Sequence, residues 1–387
     1  LILLCFIVWR LGLGISRVRN SSTKKWLVAL GGFCSLGSLL AIKYSGFMFR
    51  GLRWFGRLLQ LPFNSSFVPD WIVPVGISFF TLKAFSYIMD VYRGKVKAEG
   101  SFSKIALYIS FFPNILSGPI DKAGNFLPQL TRNFRFSLDR AKRGVFLILW
   151  GLFLKMVIAD RLAVFISAVF DNPDVFRHSG IIGIAASFLF WFQLYCDFSG
   201  YSVLAVGVAQ VLGFDLPDNF VRPYFSKNVT EFWRRWHCTL MTWLRDYVYI
   251  PLGGNRVGVV RGALNTLIVF TISGLWHGAD AHFVLWGFLN GVFLLISRFI
   301  EIKGSIFPNP FRKTFGFRIT TTFLTVCAVS FAGIFFRAAS VETAFAVIKG
   351  LFVFSPEVSL NGTLLQYGLN RTDFEILLLS VSILGLV

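Results

Sequence analysis

Long apolar stretches alternate with short polar segments over the whole chain. A helix that crosses a bilayer needs roughly 20 residues. Nine stretches reach or approach that length: 1–16, 26–42, 71–90, 144–170, 181–197, 263–277, 281–300, 319–336 and 374–387. Two shorter ones, 105–120 and 201–213, are tolerated at membrane depth only where other protein covers them. The first carries Pro113, and the second follows a break predicted at Ser199-Gly200. The pattern predicts an all-α polytopic membrane protein with about 9–11 transmembrane or re-entrant helices.

Both ends of the sequence fall inside apolar stretches. The chain begins at Leu1 without an initiator Met or a basic leading segment, and it stops at Val387 within the stretch 376–387. A signal peptide is therefore not expected. We interpret residues 1–387 as a single membrane domain that is truncated at both ends.

The basic residues suggest an orientation in the membrane. If the two short stretches do not cross, most Lys and Arg fall on one side, which the positive-inside rule makes cytoplasmic. Its segments are 17–25, 91–104, 121–143, 214–261 and 298–318. The opposite side receives the segments 171–180, 278–280 and 337–373. Segment 43–70 is basic yet falls outside, and its aromatic residues predict an amphipathic piece at the interface.

The composition changes the meaning of the charge. The net charge is +19, but charged residues are only 15% of the chain, against about 25% in a soluble domain. The excess therefore indicates basic loops and not a nucleic-acid surface. Five Cys without a C-x-x-C motif are expected to be apolar core residues. Phosphate-loop, dinucleotide, zinc-protease and G-x-S-x-G motifs are absent, which argues against those enzyme classes.

Two of the four His residues directly follow a Trp. His277 comes after Trp276 at a predicted break between two apolar stretches. Ionisable groups at membrane depth are costly and usually face a cavity or pathway. An imidazole there could act as a general base for a hydroxyl, or it could simply cap a helix end.

His237 follows a segment that is rich in Trp and Arg. Read as one helix, this segment has an aromatic face formed by Trp233, Trp236, Leu240, Trp243 and Tyr247. The purely structural interpretation is a helix at the lipid surface with its Arg side chains extended to water. The functional one is a cytoplasmic pocket in which Arg234 and Arg235 bind a phosphate-bearing donor.

Other polar residues stand out by their position. Asp197 and Ser199 interrupt an apolar region, and an intramembrane Asp is a functional candidate. Asn255 belongs to a glycine-rich segment that predicts a tight turn. His282 is five residues after His277, so the two do not share a helical face, and no metal site is expected.

These motifs together resemble the membrane-bound O-acyltransferase family, in particular its bacterial polysaccharide O-acetylating branch. The matching text lies mainly within a motif-rich core at about residues 70–340. It comprises residues 78–81, 111–120, 195–201, 217–224, 231–237, 243–247, 249–256, 274–279 and 283–287.

The resemblance implies more than the local chemistry does. It implies a helical fold around a central tunnel, in a bacterial inner membrane, with no bound cofactor. It makes His277 the catalytic residue and implicates His237 in activity, with Arg234, Arg235, Trp236, Trp276, Asp197, Ser199 and Asn255 as donor-binding or tunnel residues. An acyl group, most simply acetyl, would pass from a cytoplasmic thioester such as acetyl-CoA to hydroxyls of an extracytoplasmic polysaccharide. Extracytoplasmic partner proteins would complete the transfer.

Two departures and two alternatives accompany the resemblance. Val203 stands where this branch commonly has Asp, and His282 stands where relatives often have a small polar residue. The alternative within the family is D-alanyl transfer to teichoic acid from a carrier protein. The alternative outside it is a non-catalytic transporter of an acyl donor or glycan, for which paired broken helices in two halves would be expected.

Overall fold

Every regular element that the computed structural model describes is a helix. It describes residues 1–60, 71–133, 135–172, 180–302, 314–353 and 371–386. The predicted loop residues 61–70, 173–179, 303–313 and 354–370 lie outside the described residues. The helices run in chain order as α1 Ile2–Arg17, α2 Ser21–Gly32, α3 Ser38–Lys43, α4 Ser45–Leu58, α5 Ile77–Tyr92, α6 Phe102–Ser110, α7 Phe112–Ile115, α8 Ala123–Phe126, α9 Leu138–Leu152, α10 Asp160–Phe170, α11 Gly180–Val211, α12 Val229–Arg235, α13 Cys238–Leu244, α14 Val259–His277, α15 Ala281–Ile302, α16 Phe315–Arg337, α17 Val341–Gly350 and α18 Arg371–Leu386.

Five helical segments in the described residues are long and apolar enough to cross a bilayer. They are Ser21–Lys43, Gly180–Val211, Val259–His277, Ala281–Glu301 and Phe315–Arg337. The first joins α2 to α3 through a wider helical turn at Phe33–Gly37. The prediction of an all-α, multi-pass membrane protein is confirmed. All five Cys thiols are free; Cys5 and Cys196 are buried, as expected for core residues, whereas Cys34, Cys238 and Cys327 are partly exposed.

The break predicted at Ser199-Gly200 is wrong, because α11 continues without interruption from Gly180 to Val211. Gly200 serves close packing instead. A Cβ on Gly200 would lie 2.9 Å from the carbonyl oxygen of Gly151, and one on Gly151 would lie 2.6 Å from that of Gly200. Two glycines let the two backbones approach closely, as small residues do between membrane helices.

The single aromatic helix predicted around His237 is also wrong. Helix α12 ends at Arg235, Trp236 is extended, and His237 adopts a left-handed conformation with φ 45° and ψ 51° before α13 begins. The aromatic face is not at the lipid surface, since Trp233, Trp236 and Trp243 are at most 5% exposed. The amphipathic piece predicted in segment 43–70 does form a helix, α4, which leaves Trp54 exposed.

The chain divides into two compact units. The first comprises Leu1–Val145 and Ala205–Pro217, and the second Phe146–Leu204 and Asp218–Val387. In the first, α1 packs against α2, α5 and α6. The core of the second is aromatic, with Trp191, Phe232 and Trp236 among its buried side chains. Both motif His residues belong to the second unit.

Candidate functional site

His237 occupies a strained hinge between two short helices. The amide oxygen of Asn228 caps α12 by accepting the Glu231 N–H at 2.7 Å, which fixes where that helix begins. Beyond the hinge, the N–H of Cys238 donates to the backbone carbonyl of Asn219 at 2.9 Å. A left-handed conformation is costly for a residue other than glycine, and such strain is concentrated at functional sites.

The side chain of Asn219 orients the His237 ring. Its oxygen, Oδ1, lies 2.9 Å from Nδ1 of His237 and also accepts from the backbone N–H and the hydroxyl of Thr239. A backbone N–H can only donate, so this atom is the amide oxygen, and its amide nitrogen donates to Ser202 Oγ at 3.1 Å. His237 Nδ1 must therefore carry a hydrogen, which leaves the lone pair on Nε2.

That lone pair is buried and chemically available. His237 is 2% exposed, and its Nε2 has no hydrogen-bond partner among the described residues. Burial, followed by the charge of nearby His277, lowers the pKa of His237 well below its usual value. The ring is therefore neutral near pH 7 and can accept a hydrogen bond or a proton through Nε2.

The indole of Trp276 contacts both motif His residues. Its ring centroid is 6.1 Å from that of His237 and 4.9 Å from that of His277. His277 is the last residue of α14, as the predicted break implied, and it also packs against Trp286 and Phe336 at 5.1 Å. The structure thus brings His237, Trp276 and His277 into one aromatic cluster.

Close helix packing supports the position of His277. A Cβ on Gly274 would lie 2.2 Å from the carbonyl oxygen of Phe283, and one on Gly278 would lie 2.0 Å from the ring of Phe283. Glycine at both positions lets the Trp-His-Gly turn lie directly against α15.

A cavity of about 470 Å³ lies in the second unit beside α12 to α15. Arg234, Arg245 and Arg298 line it, and Asn255 joins them. Arg245 bonds to Asp246 and Arg298 to Thr266, whereas Arg234 makes no ion pair with another residue that the structure describes. We call this the arginine cavity. Three planar guanidinium groups in one cavity can bind phosphate through paired N–H donors.

The arginine cavity and His277 lie at different depths along α14. Of the α14 residues that line the cavity, Phe270 is nearest to His277 along the helix; it lies seven residues before it, which is about 10 Å at 1.5 Å per residue. Between them, Trp233 lines the cavity and contacts Trp286 at 5.8 Å, and Trp286 contacts His277 at 5.1 Å. The indole N–H groups of Trp233 and Trp286 are buried without a partner among the described residues. Buried N–H groups in native proteins nearly always have an acceptor, so two donors without one need a specific explanation.

The structure separates some of the predicted residues from this cavity. Arg235 does not line it but bonds to Glu231 at 2.5 Å, as an i,i+4 pair on α12. Trp236 is 5% exposed and packs against Trp191 and Phe232 as part of the aromatic core.

Asp197 belongs to a separate ionic cluster. Its carboxylate lies 2.6 Å from Nζ of Lys155, which is also 2.6 Å from Asp160. Ser199 is buried on the same helix. Two other residues of α11 support the His237 ring. The ring centroid of Phe198 lies 4.6 Å from that of His237, and Ser202 accepts a hydrogen bond from Asn219.

His282 is a structural residue. It is 6% exposed, and its Nδ1 lies 2.9 Å from the carbonyl oxygen of Phe335. In the part of the chain that the structure describes, no cluster of three or more His, Cys, Asp or Glu could hold a metal ion.

Sequence reasoning missed three contributors to the site. Asn219 was seen only as part of a longer motif, and Arg298 lies at the end of an apolar stretch. Trp286 resembles any core aromatic. A lone Arg within the predicted stretch 281–300 was the one signal that could have been noticed.

Comparisons with known proteins agree with these motifs. Residues 97–336 match the membrane-bound O-acyltransferase family. A probable alginate O-acetylase of Pseudomonas syringae is 33% identical over 344 residues, which are 89% of this chain and 64% of that protein. A peptidoglycan O-acetyltransferase of Helicobacter pylori is 35% identical over 89% of this chain and 66% of its own length. A teichoic acid D-alanyltransferase of Bacillus subtilis is 29% identical over 59% of each chain. The chain thus spans slightly less than two thirds of the length of the Pseudomonas syringae and Helicobacter pylori proteins.

Proposed function

The chain belongs to the membrane-bound O-acyltransferase family, and from this premise we propose that it is an O-acyltransferase, specifically an O-acetyltransferase. It takes an acetyl group from a cytoplasmic thioester, acetyl-CoA or an acyl carrier, and moves it across a bacterial inner membrane. The acceptor is a hydroxyl of an extracytoplasmic polysaccharide, reached with partner proteins on that side. Residues 1–387 act in this proposal as one catalytic domain.

The arginine cavity supports the donor side of the proposal. Arg234, Arg245 and Arg298 offer paired N–H donors to the phosphates of a coenzyme or a carrier prosthetic group. The cavity lies near the end of α14 that follows the basic segment 214–261, which is the cytoplasmic side by the positive-inside rule.

One observation carries the catalytic part of the proposal: a single indole, Trp276, contacts both motif imidazoles. In the proposed step, His277 takes the proton of the acceptor hydroxyl while the hydroxyl oxygen attacks the thioester carbonyl carbon. The C–S bond then breaks, and the protonated ring returns its proton to the leaving thiolate. His237, held neutral, accepts a hydrogen bond through Nε2, and the indole N–H groups of Trp233 and Trp286 donate to the acyl carbonyl along its route.

The test is His277→Ala, with His282→Asn as the matched control. The asparagine amide can still donate to the carbonyl of Phe335, so the control removes an imidazole 5 positions away and keeps its bond. Membranes are supplied with labelled acetyl-CoA, and label is read on extracytoplasmic polymer at equal protein abundance. We expect His277→Ala to lose transfer and His282→Asn to keep it. Full transfer by His277→Ala would overturn the catalytic role.

The same assay addresses the alternatives. Label that stays on the protein would indicate that His277 relays the acyl group itself. Donor-dependent flux that survives loss of both motif His residues would favour a transporter. Replacing acetyl-CoA by a D-alanyl carrier tests the D-alanyl alternative, which the lower identity to the Bacillus subtilis protein makes second.

A further inference from the structure

A second cavity of about 550 Å³ lies on the other side of α12 from the proposed donor site, between α15 and α16. Phe293, Ile296, Leu324 and Ala328 give it an apolar lining. It is distinct from the arginine cavity. Thr230 lines the first cavity and Ser297 the second, and their hydroxyl oxygens are 3.3 Å apart in the wall that the two share.

Three charged side chains also line this second cavity: Lys227, Glu301 and Arg318. All three are exposed. None of them makes an ion pair with another residue that the structure describes. Glu301 lies at the end of α15, and Arg318 lies near the start of α16. Both therefore lie where these two membrane spans meet the basic segment 298–318. Two cations and one anion therefore lie beside an apolar cavity without an ion-pair partner among the described residues.

The depth of the cavity suits an acyl chain. Phe293 is eight residues from Glu301 along α15, which is about 12 Å into the hydrocarbon at 1.5 Å per residue. Leu324 and Ala328 line the same cavity from α16. A chain entering beside Glu301 would bury its methylene groups against these side chains, each worth about 0.8 kcal/mol when fully buried.

We propose that this cavity is a specific site for a phospholipid with a phosphoethanolamine headgroup, taken from the adjoining leaflet. The phosphate lies between Lys227 and Arg318, the free ammonium pairs with Glu301, and one acyl chain fills the apolar part. Phosphatidylglycerol would leave Glu301 beside a headgroup without a cation. Phosphatidylcholine has a cation but no N–H to donate.

The experiment uses purified, delipidated protein in detergent and native mass spectrometry. Phosphatidylethanolamine, phosphatidylglycerol and phosphatidylcholine with the same acyl chains are titrated separately. We expect a discrete one-to-one adduct that forms at the lowest concentration with phosphatidylethanolamine. The double variant Lys227→Gln/Arg318→Gln should weaken that adduct about tenfold, since two charge-assisted contacts are lost. Arg371→Gln removes an exposed charge elsewhere in the same unit and should change nothing.

Glu301→Gln separates the proposed headgroup from the others. It should weaken phosphatidylethanolamine binding and leave phosphatidylglycerol binding unchanged or stronger. Ala328→Phe should reduce binding of all three lipids by filling the cavity. The rim residues are exposed, so their variants test the site even if Ala328→Phe does not fold.

Three results would overturn the proposal. One is a preference for phosphatidylglycerol or phosphatidylcholine in the unaltered protein. Another is an unchanged phosphatidylethanolamine affinity in both rim variants. The third is a graded series of adducts without a discrete first one, which indicates only the lipid annulus.

Discussion

The amide oxygen of Asn219 accepts a hydrogen bond from Nδ1 of His237 over 2.9 Å, and so leaves Nε2 as the nitrogen with the lone pair. The two residues are 18 positions apart, and the left-handed turn at His237 brings them together. Asn219 thus fixes the orientation of the His237 ring.

Asn219→Asp should change the pH dependence of acyl transfer. A carboxylate of the same shape can still accept from Nδ1, but its charge favours the protonated imidazole and raises the pKa of His237. Because we propose that the neutral ring is active, the acidic limb of the rate profile should move to higher pH. Activity should fall in acidic buffer and recover in more alkaline buffer. The measurement is the initial rate of labelled acetyl transfer across pH.

The matched control is Asn20→Asp. Asn20 caps α2 by accepting the N–H groups of Ser22 and Thr23, and Asp caps helices equally well. Its pH profile should coincide with that of the unaltered protein. If Asn219→Asp instead lost the same fraction of activity at every pH, Asn219 would have a structural role alone.

His237 should also make stability depend on pH. Its pKa is lowered in the folded protein, against about 6.5 in an unfolded chain. Below pH 6.5 the unfolded chain therefore binds more protons, and the stabilisation present above that pH is lost as pH falls towards the folded pKa. His237→Gln removes this contribution. The difference in melting temperature between pH 7.5 and pH 5.5 should be smaller in the variant than in the unaltered protein, and an equal difference would contradict the assignment.

The broad architecture followed from the apolar stretches, because their length and period are local properties of the chain. The break at residues 278–280 was equally visible, since Gly278 and Asp280 interrupt two long stretches. These features need no knowledge of what packs against each helix.

The sequence misled where packing decides the structure. Gly200 has the local signature of a helix break, but its partner is Gly151, 49 positions away, and no local rule reveals it. The left-handed turn at His237 depends on the bond from Cys238 to Asn219. Only part of the arginine cavity could be predicted from the sequence. Arg234 belongs to a recognisable motif, but Arg298 reaches the cavity from a helix that is distant in sequence.

Gly151→Ala should destabilise the protein, since its Cβ would lie 2.6 Å from the carbonyl oxygen of Gly200 and 2.9 Å from the backbone nitrogen of Leu204. Neither backbone atom can move without shifting a helix, so a loss of about 1–3 kcal/mol is expected. Gly51→Ala is the control, because nothing lies within 4 Å of its Cβ position. Thermal unfolding in detergent compares them, and equal melting temperatures would show that the glycine contact is not tight.

The last prediction concerns two neighbouring arginines that the sequence could not distinguish. Arg234 lines the cavity without an ion pair to another described residue, whereas the guanidinium of Arg235 is held by Glu231. Arg234→Gln should therefore raise KM for the acyl donor about tenfold with little change in kcat, as expected when a ground-state contact is lost. Arg298→Gln should do the same from the opposite wall.

Arg235→Gln is the matched control, because it removes an equal charge one position away from Arg234. It should alter KM for the donor far less than Arg234→Gln does. Initial rates are measured against donor concentration in membranes with equal amounts of each variant. Equal increases in KM for the two variants would mean that the net charge of the region attracts the donor. A larger increase for Arg234→Gln and Arg298→Gln would instead place the donor phosphates in the arginine cavity, because both of those side chains line it and that of Arg235 does not.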